Sequence, residues 1–553
     1  VAHPLFDKHR ATLERALTAI AERTYWSAFA ESPSPKIYGE GAAEAGNAAF
    51  DALRDKPFDL GARVPARVGA ERSPFGFDLG ITYPAQDLDT LFADIARAET
   101  PWRNAGPEAW VGVCLEILAR LNQQSFLIAN AVMHTTGQAF MMAFQAAGPH
   151  AQDRGLEAVA YAYDQMRRVP ADAQWEKPQG KHDPIRMHKH FRIVPRGVGL
   201  VIGCCTFPTW NGYPGLFASL ATGNAVVVKP HPGAILPLAI TVDVARDVLR
   251  EAGYDPNVVT LVAHDAGDDT AQVLALRPEV KLIDFTGSSA NGEWLERNAR
   301  QASVYTEKAG VNQVIVDSTD DFAGLARNLA FSLSLYTGQM CTAPQNIYVP
   351  ASGIDTSDGH RSFDQVAGAI ADGVRKLLAD PARAVEILGA VQNEGVVARI
   401  DEARKLGVPV LDSTTLAHPQ FPDARIRTPL IVRLDAAEGD KYLREWFGPI
   451  AFIIATRDTA HSLAIARDAV HEHGALTLSV YSTDDGVIDA VIDVAEREGV
   501  ALSINLTGGV FVNQSAAFSD FHGTGANPAA NAALTDAAFV AGRFRVVQHR
   551  RHL

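Results

Sequence analysis

Apolar residues recur at helical spacing from the start of the chain. Leu5, Leu13, Ala16, Leu17 and Ile20 predict a helix over 4–23. Residues 31–86 lose that period. Their proline, glycine and alanine content, with "SPSPKIYGEG" and "YPAQD", predicts extended segments laid over a surface. From 87 to 170 the helical pattern returns strongly, as in "EAWVGVCLEILARLNQQSFLIANAVMHTTG". Past Arg186 the pattern changes. "FRIVPRGVGLVIGC", "NAVVVKP", "NVVTLVAH" and "VKLIDFTGSS" are short runs rich in β-branched residues. "AILPLAITVDVARDVLREAG" and "DDTAQVLALR" between them are helical. This alternation predicts an α/β fold, with a parallel sheet covered by helices on both faces. A second alternating block holds "QNIYVP", "VPVLD", "TPLIVRL", "IAFIIATRD" and "ALTLSVYSTD", and "FVAGRFRVVQHRRHL" reads as a terminal strand with a basic end. No internal repeat or low-complexity tail is visible.

With 553 residues the chain is long enough for several domains. Hydrophobic residues make up 47% and charged residues 21%, the balance of an ordinary globular protein. The formal net charge of −14 repels nucleic acid and anionic membrane surfaces, which leaves a small molecule as the expected partner. No apolar run approaches the roughly 18–20 residues of a membrane span. "VAHPLFDKHRATLERAL" has no apolar signal core, so the expected location is cytoplasmic. Cys114, Cys204, Cys205 and Cys341 show no CxxC spacing, so neither a metal site nor a disulfide framework is expected.

Several short stretches can carry chemistry, and each has a plainer reading. "FTGSSANG" follows an apolar strand and opens a helix. Gly287 allows a tight turn, and Ser288 with the helix N-terminus can hold a phosphate or simply cap the helix. Lys229 ends the strand "VVVKP", where open α/β sheets bind ligands, or is a solvated lysine. Asn211 in "FPTWNGYPG" is a turn former or a donor to a developing oxyanion. Glu307 in "YTEKAG" ends a strand, and Glu445 sits in "REWFGPIAF" before another. Cys341 in "SLYTGQMCTAPQNIYV" is a packed small residue or a nucleophile.

Taken in order, these stretches resemble the aldehyde dehydrogenase superfamily. Its landmarks are a Trp-Asn loop, a Lys-Pro after a strand, Phe-Thr-Gly-Ser, a Glu backed by glycine, Gly-Gln-x-Cys and Glu-x-Phe-Gly-Pro. Glu307 and Cys341 lie 34 residues apart, the family's usual interval. The resemblance implies that Cys341 attacks the aldehyde carbon and that Asn211 and the Cys341 backbone N–H stabilise the oxyanion. It implies that Glu307 activates water against the resulting thioester. Gly287 and Ser288 would hold the pyrophosphate of NAD or NADP, Lys229 the adenosine ribose and Glu445 the nicotinamide ribose, with Phe447 beside the ring. Pro208 and Trp210 would also line the cofactor site. Cys204 and Cys205 read as core residues on an apolar strand.

"SPSPKIYGE" and "FSDFHGTGANPAANAALTD" resemble the phenylacetate-degradation branch more narrowly. That branch implies a CoA-linked substrate, 3-oxo-5,6-dehydrosuberyl-CoA semialdehyde, oxidised to its acid. The family's Glu-Leu-Gly-Gly-Lys is replaced here by "EKAGV", which sets Lys308 and Ala309 beside the base. Its Pro-Phe-Gly-Gly is replaced by "FSDFHGTGANP". Pro232 stands where many NAD-preferring relatives carry a glutamate. With Lys229 and His231 near, this favours NADP over NAD. The implied architecture is two α/β domains with Rossmann-like sheets: a cofactor part over 1–176 and 195–306, and a catalytic part over 307–513. An oligomerisation flap would come from 177–194 and 514–553, giving a homodimer or a dimer of dimers. A CoA-acylating dehydrogenase and a non-catalytic binding protein on the same fold are the rival readings. Glu307 speaks against the first, and the joint presence of Cys341, Asn211 and Glu307 against the second.

Overall fold

The computed structural model describes residues 3–61, 66–308 and 310–553. Two parallel sheets organise it, as the alternating pattern predicts. The first has five strands: β3 (Val198–Ile202), β4 (Ala225–Lys229), β5 (Val259–Leu261), β6 (Val280–Thr286) and β7 (Ser303–Glu307), in the order β5-β4-β3-β6-β7. The second has seven: β8 (Gln313–Val316), β9 (Asn346–Pro350), β10 (Val408–Leu411), β11 (Leu430–Asp435), β12 (Ile450–Thr456), β13 (Thr477–Tyr481) and β14 (Ala501–Ile504). Their order is β10-β11-β12-β9-β8-β13-β14, and only the β10–β11 pair is antiparallel. A third, antiparallel sheet joins β1 (Asp172–Gln179) and β2 (His182–Pro195) to β15 (Phe544–His552) near the chain's end. The central strands are buried on both faces, which is why "AVVVK" and "IAFIIAT" are continuous apolar runs.

In the five-stranded sheet the chain winds outward from β3 through β4 to β5, then returns to β6 on the other side. The crevice at the carboxyl ends of β3 and β6 is therefore the switch point where such sheets take ligands. The Pro208–Ala221 helix leaves β3 at that crevice and lies tight against β6. A Cβ on Gly215 would come within 2.3 Å of Asp284 Cγ, so only glycine permits this approach.

Several expectations change. The first helix is two, Pro4–Lys8 and Arg10–Glu22, broken at His9. The segment over 31–86 contains a 12-residue helix, Ala42–Leu53, whose Phe50 is buried. "FPTWNGYPG" is helical, and Cys204 and Cys205 lie beyond β3 rather than on it. The terminal stretch is a short helix, Ala537–Ala541, before its strand. Ala309 lies outside the described residues. No helix among the described residues is long and apolar enough to cross a membrane.

Arg543 pins the C-terminal segment to the first sheet. Its guanidinium donates to both oxygens of Asp284 at 2.6 and 2.8 Å, and its side chain is fully buried between Tyr305 and Phe539. Breaking a buried pair by removing one partner strands the other charge. Arg543→Met is expected to cost about 3–5 kcal/mol, read as a lower denaturation midpoint. Replacing Asp284 with leucine in the same variant should recover part of that loss.

Candidate active site

Three segments converge at the carboxyl edge of the first sheet. Asn211 sits in the first turn of the Pro208–Ala221 helix. Pro208 opens that helix at the position where its missing N–H costs nothing. The neighbouring Thr209 hydroxyl donates to the Ala147 carbonyl at 3.0 Å. Ala147 lies in a widened turn, Ala146–His150, that accommodates Pro149, and so this turn anchors the helix that carries Asn211. The Asn211 amide is buried, and its Nδ2 donates to Glu307 Oε2 at 3.1 Å.

Glu307 is the last residue of β7 and is held from both sides. Its backbone bridges to Ala530, and the next N–H, of Lys308, donates to the Ala529 carbonyl at 2.6 Å. The Lys308 ammonium turns away to Glu296 at 3.1 Å, so it does not pair with Glu307. The Glu307 carboxylate is only 5% exposed, and its Oε1 has no partner. Burial pushes its pKa up. His522, the Cys341 thiol and Arg154 outweigh that, and the net direction is down.

Cys341 follows a strained turn. Tyr336 and Thr337 have φ of 50° and 52°, unusual for residues with side chains. Tyr336 Oη donates to the Thr136 carbonyl at 2.6 Å, and Thr337 Oγ1 to that of Leu388 at 2.5 Å. Gly338 continues the turn at φ 61°, where a Cβ would strike the Gly448 carbonyl at 2.4 Å. The "EWFGP" turn thus packs directly on the cysteine loop. After it, Asn312 Nδ2 donates to the carbonyls of Cys341 and Ala343 at 2.8 and 2.9 Å. Asn312 Oδ1 in turn accepts from the N–H groups of Leu476 and Thr477.

A fourth residue completes the cluster. His522 Nε2 lies 3.7 Å from Cys341 Sγ and 3.1 Å from Glu307 Oε2. The O, S and N atoms of Glu307, Cys341 and His522 all fall within 4.8 Å of one another. That spacing alone would also admit a divalent ion. The expectation of no metal site rests on the absence of CxxC spacing, which does not register a cluster assembled from three distant segments. The sequence signalled His522 only indirectly, as part of the "FSDFHGTGANP" departure. Asn312 left no signal at all.

Trp210 stands with this cluster. Its ring meets His522 edge-on at 4.7 Å, and Arg154 lies over it at 5.3 Å. Apolar packing around the site joins Cys204, Phe207 and Tyr336 to Met142, Trp210 and Met340. Cys204 Sγ is 3.8 Å from Asn211 Oδ1, nearer the site than a core residue was expected to be. Burial pushes the thiols of Cys204 and Cys205 up, the latter to about 12.

The other expected residues lie beside strand ends, Lys229 and Ser288 at the first sheet and Glu445 and Phe447 before β12 of the second. Lys229 ends β4 and is buried, which lowers its pKa to about 8. His231 is pushed down to about 4 by burial, Lys229 and His264, so it is neutral at neutral pH. Its Nδ1 accepts from the Gly233 N–H at 3.0 Å. The Asp268 carboxylate lies 2.9 Å from His264 Nδ1 and attracts Lys229. The positive charge expected of His231 is therefore absent, and a carboxylate stands nearby. Ser288 caps the Ser289–Asn298 helix, accepting from the Asn291 N–H, and the Gly287 N–H donates to the Glu307 carbonyl at 3.1 Å. Burial raises Glu445 to about 7, opposed by Arg399 and the Gly310 N–H. The Phe447 carbonyl accepts from Arg399 at 2.5 Å.

A family model described as the aldehyde dehydrogenase family matches residues 82–525. N-succinylglutamate 5-semialdehyde dehydrogenase of Burkholderia multivorans is 26% identical over 415 residues, covering 72% of this chain and 78% of that one. A 2-aminomuconic 6-semialdehyde dehydrogenase of a Pseudomonas species is 26% identical over 351 residues, 60% of this chain and 65% of that one. The crystal structure of an NAD-dependent aldehyde dehydrogenase from Burkholderia multivorans superposes with a TM-score of 0.99 at 69% identity, each chain covered completely. The curated relatives are named for other semialdehydes, so the narrower resemblance to the phenylacetate branch gains no support from them. The converging Asn, Glu and Cys, the two α/β sheets and the family model agree: this chain belongs to the aldehyde dehydrogenase family, the NAD(P)-dependent oxidoreductases of aldehydes.

Proposed function

We propose that the protein oxidises a semialdehyde to its carboxylic acid, with Cys341 as nucleophile, Asn211 as oxyanion donor and Glu307 as the base for hydrolysis. The observation that carries this reading is the convergence of the three side chains, from three separate segments, on one buried point. Cys341 as thiolate forms a thiohemiacetal, and the Asn211 amide with the Cys341 N–H receives the oxyanion. In the resting arrangement one Nδ2 hydrogen of that amide is engaged by Glu307 Oε2, and the amide's second hydrogen serves the arriving carbonyl oxygen. The nucleotide, when bound, supplies the acceptor for the hydride lost from that carbon. Glu307 then takes a proton from the water that opens the thioester.

The cofactor residues fit a dinucleotide. A capped helix N-terminus at Ser288 offers N–H groups to phosphate, Lys229 offers a cation, and the Glu445 carboxyl can accept from ribose hydroxyls. We favour NAD over NADP. His231 adds no charge for a 2′-phosphate, Asp268 stands beside Lys229, and the 69% identical relative is named NAD-dependent. The first sheet is assigned to the cofactor, residues 307–513 to catalysis, and the antiparallel flap to pairing with a second copy. Ile185, Val546 and Val547 on that flap are exposed apolar residues such a contact would cover. The four free cysteines suit a reducing cytoplasm.

The substrate is taken to be a semialdehyde with a polar far end, the feature common to the substrates that name the two curated relatives. The CoA-linked semialdehyde of phenylacetate breakdown is the narrower version, supported by the two quoted sequence stretches alone. The test is absorbance at 340 nm with short aldehydes, dicarboxylic semialdehydes and a CoA-linked semialdehyde, with each nucleotide. A higher kcat/KM for NAD is expected, and one clearly higher for NADP would overturn that assignment. Release of free acid without added CoA is expected, and a strict requirement for CoA would establish the acylating alternative.

A further inference from the structure

The reactive sulfur stands in a poor place for a thiolate. Burial and the Glu307 carboxylate both push the Cys341 thiol far up, and Cys204 and Glu445 add to this. A nucleophile so placed needs a cation beside it. Among the described residues, the side chain that contacts Sγ and can carry a positive charge is His522, whose Nε2 is 3.7 Å away. We propose that His522 is a further catalytic residue, which takes the Cys341 proton at Nε2 and holds the nucleophile as a thiolate–imidazolium pair. The inference rests on Cys341 being the nucleophile.

Its surroundings suit the role. The side chain is 4% exposed, and its backbone is locked by a reciprocal pair with Leu534, at 2.9 and 2.8 Å. The Trp210 edge fixes the ring. Neutral His522 that carries its proton on Nδ1 leaves the Nε2 lone pair free for the Cys341 proton. Once Nε2 is protonated it faces Glu307 Oε2 at 3.1 Å, which stabilises the imidazolium. The other ionisable groups facing the cluster are Cys204 past β3, Arg154 from the Ala151–Met166 helix and Glu445 before β12. The step balances without any redox partner. The S–H bond breaks and an N–H bond forms, leaving sulfur with its electron pair. After hydrolysis the departing sulfur is again a thiolate beside the same imidazolium.

The test reads the thiolate directly and needs no turnover. Apoprotein is treated with iodoacetamide between pH 5 and 10, and labelling of Cys341 is followed by peptide mass spectrometry, which separates it from the three other cysteines. In the wild type a plateau of fast labelling is expected through neutral pH. A single rise above about pH 9, the range of an unassisted thiol, would overturn the proposal with no variant needed. In His522→Gln, labelling at pH 7 should fall about tenfold or more, since each unit of thiol pKa is a factor of ten in thiolate. The loss should shrink toward pH 10. A wild-type profile in the variant, or an equal loss at every pH, would also overturn it. Turnover separates this failure from that of the underlying reading: full activity in Cys341→Ala rejects the nucleophile, whereas a slow-labelling wild type rejects only His522.

Discussion

Cys341→Ala is expected to lower aldehyde oxidation by about 10³-fold or more, with nucleotide binding unchanged. In the proposed reaction the side chain removed forms the covalent bond on which every later step depends, so Asn211 and Glu307 would be left with nothing to act on. No other cysteine substitutes for it. Cys204 is near, but its buried thiol is pushed up, and its contact is with Asn211 Oδ1, the wrong side of the amide for the oxyanion. Cys114 is wholly buried in the large helical core. Nucleotide affinity should survive because Lys229, Ser288 and Glu445 are held by β4, by a helix cap and by the "EWFGP" turn, none of which uses the thiol. The measurement pairs steady-state absorbance at 340 nm with titration of tryptophan fluorescence by reduced nucleotide. Retention of full activity would remove Cys341 from the mechanism.

The parts of this site that the sequence made legible end regular elements. Glu307 closes a strand and Lys229 another. The Lys229 strand is an apolar run buried on both faces, which is the cause of its pattern, whereas the Glu307 strand, "SVYTE", lies at the sheet's edge and is only half-buried before its last two residues. Cys341 and Asn211 were legible through motif order. Local composition misread the segment around Asn211 all the same. Two prolines and two glycines in "PTWNGYPG" look like a loop. Pro208 is harmless at a helix start, Pro214 forfeits only the bond to the Trp210 carbonyl, and burial of Tyr213, Leu216 and Phe217 outweighs that. The Ala42–Leu53 helix was hidden because proline and glycine on either side dominated the window. His522 was illegible for a deeper reason. Residues 505–536 form almost no regular structure and are held by isolated contacts: Leu534 across from His522 within the segment, and the distant Ala475 on Asn527 and Lys308 on Ala529. No period records such contacts, so the residue surfaced only as a departure from a family motif.

Glu307→Gln separates the two halves of the proposed reaction. The substitution keeps the size of the side chain and an oxygen for the Asn211 amide, but it cannot accept a proton from water. Thiohemiacetal formation and oxidation should proceed once, giving a burst of reduced nucleotide close to one per site. Hydrolysis should then limit turnover, with the steady-state rate down by about 10²–10⁴-fold, the usual worth of a general base. The pH dependence of the wild type follows from the same group. The folded-state pKa of Glu307 is lowered: burial raises it, but His522, the Cys341 thiol and Arg154 outweigh that. A depressed carboxyl is ionised at every pH above its own value. Its contribution to hydrolysis should therefore hold through the neutral and weakly acid range and fade only below the ordinary carboxylate region. Its contribution to stability should follow the same window, present above the unfolded pKa and lost as pH falls through the folded one. Stopped-flow absorbance at 340 nm reads both phases. Hydroxylamine, which attacks thioesters without needing a base, should restore steady turnover to Glu307→Gln. A variant with no burst and an unchanged steady rate would mean that Glu307 does not handle the proton of the attacking water.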